Sequence, residues 1–397
     1  MKKNISYATK KIIGKDFYWR IKTSPLPHLD IEITERCNSN CIHCYINLPI
    51  DDRDAKKREL STDKIKTILK EAVELGCMVV RFTGGEPLLR EDFEELYVYA
   101  RKLGLKVILF TNATLITPHL AELFNDIPPL KKIEVSVYGM KESSYEACTR
   151  IKGSFKDFKR GIDLLLKHNI PFIVKGTLLP TNKKDMEEFE KWTSTIPWMD
   201  KKKPSYSASF DLRSRRDDTK KNDIIKKLRV VPKESLDISK GKQKNHIKSM
   251  QEFCSKFMHP SGEYIFSCGS GKDSGCVDSY GNFQPCMLVR HPDLVYDLKK
   301  GSLRDAVINF FPKIRKIKAK DPEYLSRCAR CFLKGLCEQC PGKSWSEHGT
   351  LDTPVEYLCK IAHVQARFLG LIGKSENAWE VKDWKKRIDR FVNKKVF

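Results

Sequence analysis

Between residues 28 and 212 strand-like and helix-like runs alternate, and this alternation constrains the fold more than any other feature of the chain. Short apolar runs at His28–Ile33, Met78–Phe82, Val107–Phe110, Ile133–Val137 and Phe172–Leu179 read as strands, with a sixth around Tyr206–Leu212. Helical patterns lie between them. Ser61 is placed to cap Asp63–Leu75, apolar residues recur at helical spacing over Glu91–Lys102, and Ser154–His168 follows Gly153. Pro171, Pro180 and Pro197 punctuate the later elements. Successive βα units require a parallel sheet with right-handed crossovers, hence a doubly wound sheet or a barrel. Six units are too few for a complete eightfold barrel. In barrels the chemistry gathers at the C-terminal ends of strands, and the polar motifs of this chain fall there.

Cysteine is the second constraint. There are 14 in 397 residues, and they cluster: three at Cys37, Cys41 and Cys44, and eight between Cys268 and Cys359. The first twenty residues are basic without a continuous apolar run, so they do not read as a secretory signal. No stretch of roughly 18 apolar residues is present, so no membrane-spanning helix is expected. The default is a cytoplasmic protein, where clustered cysteines point to metal or catalysis before disulfides. Cys77 and Cys148 stand apart and read as packed thiols. The formal net charge of +23 fits an anionic partner, but surface lysines also serve solubility. Because the basic residues are not interleaved with stacking aromatics, nucleic acid is not the expected partner.

Cys37-Asn-Ser-Asn-Cys41-Ile-His-Cys44 directly follows the first strand. A structural zinc or iron–sulfur site takes four protein ligands, and three on one loop leave a coordination position open, as catalytic metal centres do. His43 is a candidate fourth ligand but reads better as a packing residue. The Cys-x3-Cys-x2-Cys spacing at the end of a first barrel strand resembles the radical S-adenosylmethionine (SAM) superfamily, over roughly residues 28–212. Thr83-Gly84-Gly85-Glu86-Pro87 ends the second strand and resembles that family's glycine-rich motif for the methionine amino group. Thr111-Asn112 ends the third strand, and Ser136-Val137-Tyr138-Gly139 ends the fourth, where the family places a ribose-contacting Ser. The resemblance implies SAM held by Gly84, Gly85, Glu86, Pro87, Asn112 and Ser136, and a [4Fe–4S] cluster on Cys37, Cys41 and Cys44. It also implies reductive cleavage of SAM to a 5′-deoxyadenosyl radical that abstracts hydrogen from a substrate, fed by a low-potential flavodoxin- or ferredoxin-type donor.

Further along, Cys268-x7-Cys276 and Gly281-x4-Cys286 lead, after a gap, to Cys328-x2-Cys331-x5-Cys337-x2-Cys340 and then Cys359. Spacing alone leaves zinc ribbons open. Behind a radical SAM core, however, the order resembles the SPASM extension, which carries two auxiliary [4Fe–4S] clusters. The final internal spacing, Cys337-Glu-Gln-Cys340, is one residue short of that family's pattern. Carried over by position, auxiliary cluster I takes Cys268, Cys286 and Cys340 with Cys276 as fourth ligand, Cys254 being the competitor. Cluster II takes Cys328, Cys331, Cys337 and Cys359. Three clusters are therefore expected.

The fold class implied is α/β: a partial (β/α)6 TIM-like barrel followed by a small cysteine-rich SPASM domain. The partition is an N-terminal extension at 1–27, the barrel at 28–212, a basic bridge at 213–253, the SPASM domain at 254–370 and a helical tail at 371–397. Residues 199–250 carry 16 Lys+Arg against 7 Asp+Glu, with one short helix expected near Asp223–Leu228. Ala378–Phe397 reads as a basic amphipathic helix. SPASM proteins mostly mature ribosomal peptides or proteins, so a peptide or protein substrate, acidic if the charge is a guide, is the first expectation; a tetrapyrrole or cofactor precursor is the alternative. Sulfatase maturases carry an Asp where this chain has Met287, which ranks that activity low. Arg213, Arg215 and Arg216 are candidates for substrate carboxylates. Tyr138, Lys175 and Asp211 fall near strand ends as possible substrate-facing groups, and no general acid or base is assigned.

Overall fold

Six parallel strands follow one another in space as they do in sequence: β1 (His28–Thr34), β2 (Val79–Gly84), β3 (Lys106–Thr111), β4 (Leu130–Val137), β5 (Phe172–Thr177) and β6 (Tyr206–Ser207). The computed structural model describes residues 25–199, 206–207, 219–239 and 243–394. The rest of the expected sixth strand, Asp211, and Arg213, Arg215 and Arg216 lie outside the described residues. The parallel ladders run His28↔Val79, Val79↔Lys106, Leu109↔Ile133, Ile133↔Phe172 and Gly176↔Tyr206. A doubly wound sheet reverses its strand order at a switch point, and this order never reverses, so the architecture is that of a partial barrel.

The strands alternate in character because their two faces meet different surroundings. Leu29, Ile31, Ile33, Val80, Phe82, Val107, Leu109, Ile133, Val135, Phe172 and Val174 are buried on one face. Each such side chain contributes roughly 1.5–3 kcal/mol on leaving water. Asp30, Arg81, Phe110, Glu134 and Lys175 occupy the other face, where Arg81 pairs with Asp30 at 2.8 Å and stacks over Phe110 at 4.7 Å. Strands buried on both faces would read as unbroken apolar runs.

The expected helices are present within two residues of their expected bounds: Thr62–Glu74, Phe93–Lys102 and Ser154–Lys167. Ser61 does cap the first, accepting the Lys64 N–H at 3.3 Å, a contact that contributes about 1 kcal/mol. That helix buries Ile65, Ile68, Leu69 and Ala72.

The sheet does not stop at β1. Strand β7 (Ser274–Val277) lies parallel beside it, with Asp30 opposite Cys276, and β8 (Asn282–Gln284) and β9 (Tyr296–Asp297) continue antiparallel. The compact units therefore cut across chain order. One comprises residues to Ser207 with Gly269–Met287 and Pro292–Pro312; the other comprises Ala208–Cys268, Leu288–His291 and Lys313–Phe397.

In the second unit three helices, Thr219–Lys227, Pro232–Ser239 and Gln243–Phe257, stand where composition suggested one. Ile247, Met250, Cys254 and Met258 form the stripe that holds the last of them to a core of Phe332, Leu333, Ala362, Ala366, Leu371, Ile388 and Phe391. The tail helix is shorter than expected, Trp384–Val392. The Ala378 N–H goes instead to His363 Nε2 at 3.2 Å, and Glu376 takes the Gly373 N–H at 2.6 Å and the Arg387 guanidinium, so the chain before Trp384 is bonded in a non-helical path. Among the described residues no helix is long and apolar enough to cross a membrane.

Candidate functional site

The loop carrying Cys37, Cys41 and Cys44 leaves the C-terminal end of β1 and is anchored at its root by the next strand. Thr34 O accepts the Gly85 N–H at 2.7 Å and Arg36 O accepts the Glu86 N–H at 2.9 Å. That approach leaves no room for side chains on the two glycines. A Cβ at Gly84, whose φ is +131°, would stand 2.0 Å from Thr34 O, and one at Gly85 would stand 2.2 Å from Arg36 O. The Gly-Gly pair is thus required by the loop backbone itself.

Charge fixes the same root. Arg36 lies against Glu59, Nε to Oε1 at 2.9 Å and NH2 to Oε2 at 3.2 Å, with both side chains nearly buried. Thr34 donates to the same carboxylate at 2.5 Å, and Arg90 reaches Ile33 O at 3.0 Å and Leu60 O at 3.2 Å. Tyr280, from the turn between β7 and β8, donates to Glu35 at 2.6 Å, and Ser279 donates to Glu32 O at 2.9 Å.

The middle of the loop is held by the end of the helix Glu142–Thr149, whose last carbonyls lack helical partners. Thr149 O accepts the Asn40 N–H at 2.9 Å and Cys148 O accepts the Ile42 N–H at 3.0 Å. Arg150 donates to Asn40 O at 2.6 Å. Cys148 is buried, as a packed thiol should be, but it is packed against this loop: its sulfur lies 3.6 Å from His43 Nδ1. His43 in turn meets the Tyr138 ring at 5.6 Å.

The three loop thiols lie within electrostatic reach of one another. Burial pushes the Cys37 thiol up strongly, and the fields of Glu86, Cys44 and Cys41 add to it. Cys41 is also raised, first by its hydrogen bond with Cys148 and then by burial. Thiols gathered on a half-buried loop suit a ligand that takes them as thiolates and repays their desolvation with metal bonds.

Around the loop stand the ends of the next strands. Glu86 is fully buried; its Oε1 accepts from Thr111 at 2.8 Å and Leu88 N–H at 3.1 Å, and its Oε2 accepts the Asn112 N–H at 2.8 Å. Burial raises its pKa to about 7, against these three donors. A carboxylate offers about four acceptor positions, so one remains for an ammonium group. The Asn112 amide donates to Asn38 at 2.9 Å, tying the third strand end to the cysteine loop. Pro87 begins a short turn, and Ser136 is half-buried on β4 beside Lys175 of β5. A pocket of about 280 Å³ opens at the ends of β4, β5 and β6, lined by Val137, Gly139, Gly176, Asn182, Asp185 and Tyr206 among others. Of the groups expected to face substrate, Tyr138 is half-buried beside Cys41, while Lys175 is exposed, paired with Glu134 and set over Phe110.

In the second unit Cys328, Cys331, Cys337 and Cys359 line one hollow of about 430 Å³. Burial, and then the charges of neighbouring thiols, push Cys328 up, Cys331 to about 12 and Cys337 to about 11. Among the described residues no three His, Cys, Asp or Glu side chains close on a single metal ion. Four thiols set around a hollow suit a polynuclear cluster, whose irons each take one thiolate. Of the remaining cysteines, Cys276 (buried on β7) and Cys286 belong to the first unit, and the exposed Cys268 and half-buried Cys340 belong to the second. Cys254 sits in the apolar core with Phe332 and Leu333, where burial raises it to about 12.

Sequence reasoning missed Glu59, Tyr280, Arg150 and Cys148. No local pattern marks them, because each meets the cysteine loop only through the fold.

Comparison with known proteins follows the same outline. Residues 31–193 match the radical SAM superfamily. The chain is 26% identical to an AdoMet-dependent heme synthase of Methanosarcina barkeri over 80% of its own length and 92% of that protein. Three other curated relatives are matched over only 37–40% of their lengths. In structure the chain is similar to anSMEcpe with bound AdoMet (TM-score 0.57, 17% identity, 86% of this chain and 96% of that one). It is also similar to Streptococcus suis SuiB bound to its precursor peptide SuiA (TM-score 0.50, 16% identity, 87% and 78%). At such identities the likeness establishes the fold.

Proposed function

The chain is a radical SAM superfamily enzyme, and on that premise we propose that it cleaves SAM reductively and uses the resulting radical to modify a ribosomally made peptide or protein. The observation that carries the first half is the gathering of Cys37, Cys41 and Cys44, within electrostatic reach of one another, on one half-buried loop at the end of β1. Cys37, Cys41 and Cys44 would hold a [4Fe–4S] cluster, which with SAM bound would supply the reductive chemistry that generates a 5′-deoxyadenosyl radical. The chain's own residues do the holding. Gly84, Gly85, Glu86 and Pro87 receive the methionine end, Glu86 offering its free lone pair to the ammonium. Asn112 and Ser136 flank the ribose, and the pocket between Val137, Gly176 and Tyr206 takes the adenine and excludes water. Auxiliary [4Fe–4S] clusters complete the reading, one of them on Cys328, Cys331, Cys337 and Cys359. A low-potential flavodoxin or ferredoxin in a reducing compartment is the electron source.

Peptide substrates are supported by the likeness to a protein that binds a precursor peptide. A second reading, a tetrapyrrole, is favoured by the match over 92% of a heme synthase. Anoxic reconstitution tests the common core: about twelve irons per chain are expected, and dithionite with SAM should release 5′-deoxyadenosine. Zinc in place of iron, with no deoxyadenosine, overturns it. Mass shifts on a peptide encoded beside the gene, set against turnover of an iron-porphyrin precursor, decide the substrate class.

A further inference from the structure

The hollow lined by Cys328, Cys331, Cys337 and Cys359 is asymmetric in its hydrogen bonding. Cys331 and Cys337 take main-chain N–H donors, from Leu333 and Gln339. Cys359, in the first turn of Glu356–Phe368, is met by two side chains. Arg327 NH2 lies 3.5 Å from its sulfur. His363, one helical turn on, places Nδ1 3.5 Å from the same sulfur and 2.9 Å from Cys359 O.

The protonation of His363 follows from its far side. Nε2 receives the Ala378 N–H at 3.2 Å, so it is the acceptor nitrogen, and the ring proton sits on Nδ1, facing Cys359. Arg327 is equally fixed. It pairs with Glu356 at 2.7 Å and with Glu323, and its guanidinium lies 4.7 Å over the Trp379 ring, whose edge also meets His363 at 5.2 Å. Neither donor can swing away without breaking several contacts.

We propose that Arg327 and His363 tune the reduction potential of the cluster held by these four cysteines: Arg327 donates to the Cys359 sulfur, and the single His363 Nδ1–H is shared between Cys359 O and that same sulfur. The inference rests on the auxiliary-cluster reading above. Adding one electron makes the cluster more negative. Donors on a ligand sulfur withdraw charge and stabilise that reduced state, and a fixed cation 3.5 Å away does so further. Outer partners of this kind are how a protein sets a metal group whose ligands are fixed. The pair therefore raises the potential, making this cluster a readier acceptor than four thiolates alone.

The test uses the full chain, reconstituted without oxygen, with Cys37, Cys41 and Cys44 changed to Ala to remove the first cluster's signal. Dithionite is the reductant, and EPR-monitored titration reads each midpoint. Arg327→Gln and His363→Gln should each lower one midpoint while iron and sulfide content stay at the parent level. The double variant should lower it further, and Arg327→Lys, which keeps the charge, should recover part of the loss. Unmoved midpoints in fully loaded variants overturn the inference and leave the cluster reading standing. A parent chain whose iron does not fall when Cys328 and Cys331 are changed to Ala overturns both. Should Arg327→Gln fail to load, His363→Gln and Arg327→Lys carry the same decision.

Discussion

Replacing Gly85 with Ala tests whether the glycine pair exists for the cysteine loop and not for the bound nucleotide alone. The added Cβ would meet Arg36 O at 2.2 Å and Glu35 O at 2.6 Å, both backbone atoms that cannot rotate aside. An ordinary C···O contact is about 3.3 Å or more, so the loop root must retreat by about 1 Å. The bonds Gly85 N–Thr34 O at 2.7 Å and Glu86 N–Arg36 O at 2.9 Å then stretch past useful length. Each buried group left unmet costs about 1–3 kcal/mol. A total of about 3 kcal/mol corresponds to a fall in Tm of roughly 6–12 °C for a unit of this size. Differential scanning fluorimetry on the cluster-free chain, with no SAM present, reads it directly. Iron loading of the first cluster should fall as well, because Cys37 follows the displaced residue. A melting point within 2 °C of the parent, with full iron, would refute the steric reasoning and return the glycines to a purely ligand-binding role.

Other outcomes follow from the same site. Glu59→Ala leaves Arg36 buried without its partner and should cost about 3–5 kcal/mol in urea unfolding; a cost below about 1 kcal/mol would mean the pair is dispensable. Glu86 has its pKa raised from 4.5 to about 7 by burial, so the folded chain binds its proton more tightly than the unfolded one. Its contribution is therefore complete below about pH 4.5 and lost as pH rises towards 7, about 3 kcal/mol in all. Glu86→Gln should flatten that part of the stability profile, and parallel profiles for the two proteins would contradict it. Changing Cys37, Cys41 and Cys44 together to Ala should remove about four irons and all deoxyadenosine formation while the remaining iron stays bound; loss of all iron would contradict independent loading of the clusters.

The barrel was legible because its strands alternate: one polar and one apolar face at period two survives in a single sequence, and sequential βα units leave few topologies. The cysteine loop was legible because its three cysteines lie within eight residues. What holds the loop was not. Arg36 meets Glu59 across 23 positions, His43 meets Cys148 across 105, and Glu35 meets Tyr280 across 245. Such pairs have no local spacing to read, and Cys148 accordingly passed for an ordinary packed thiol. The helix Gln243–Phe257 was hidden for a different reason: its lysines dilute a narrow apolar stripe that only the packed core reveals. In the tail, side-chain bonds to Gly373 and His363 shortened a helix whose pattern promised more.

The strand that flanks β1 has a consequence for synthesis. β1 emerges from the ribosome some 240 residues before β7, which begins at Ser274, covers its open edge. At about 5–20 residues per second the nascent barrel waits roughly 12–48 s with that edge unpaired. Through that interval it presents free N–H and C=O groups to any passing chain, the exposure that promotes aggregation. Asp30 and Glu32, alternating along the waiting strand, put charge on it during this time. A message cut short after β6 but before codon 274 would yield a barrel with a permanent raw edge, so translational pausing before codon 274 should cost soluble yield more than pausing after it.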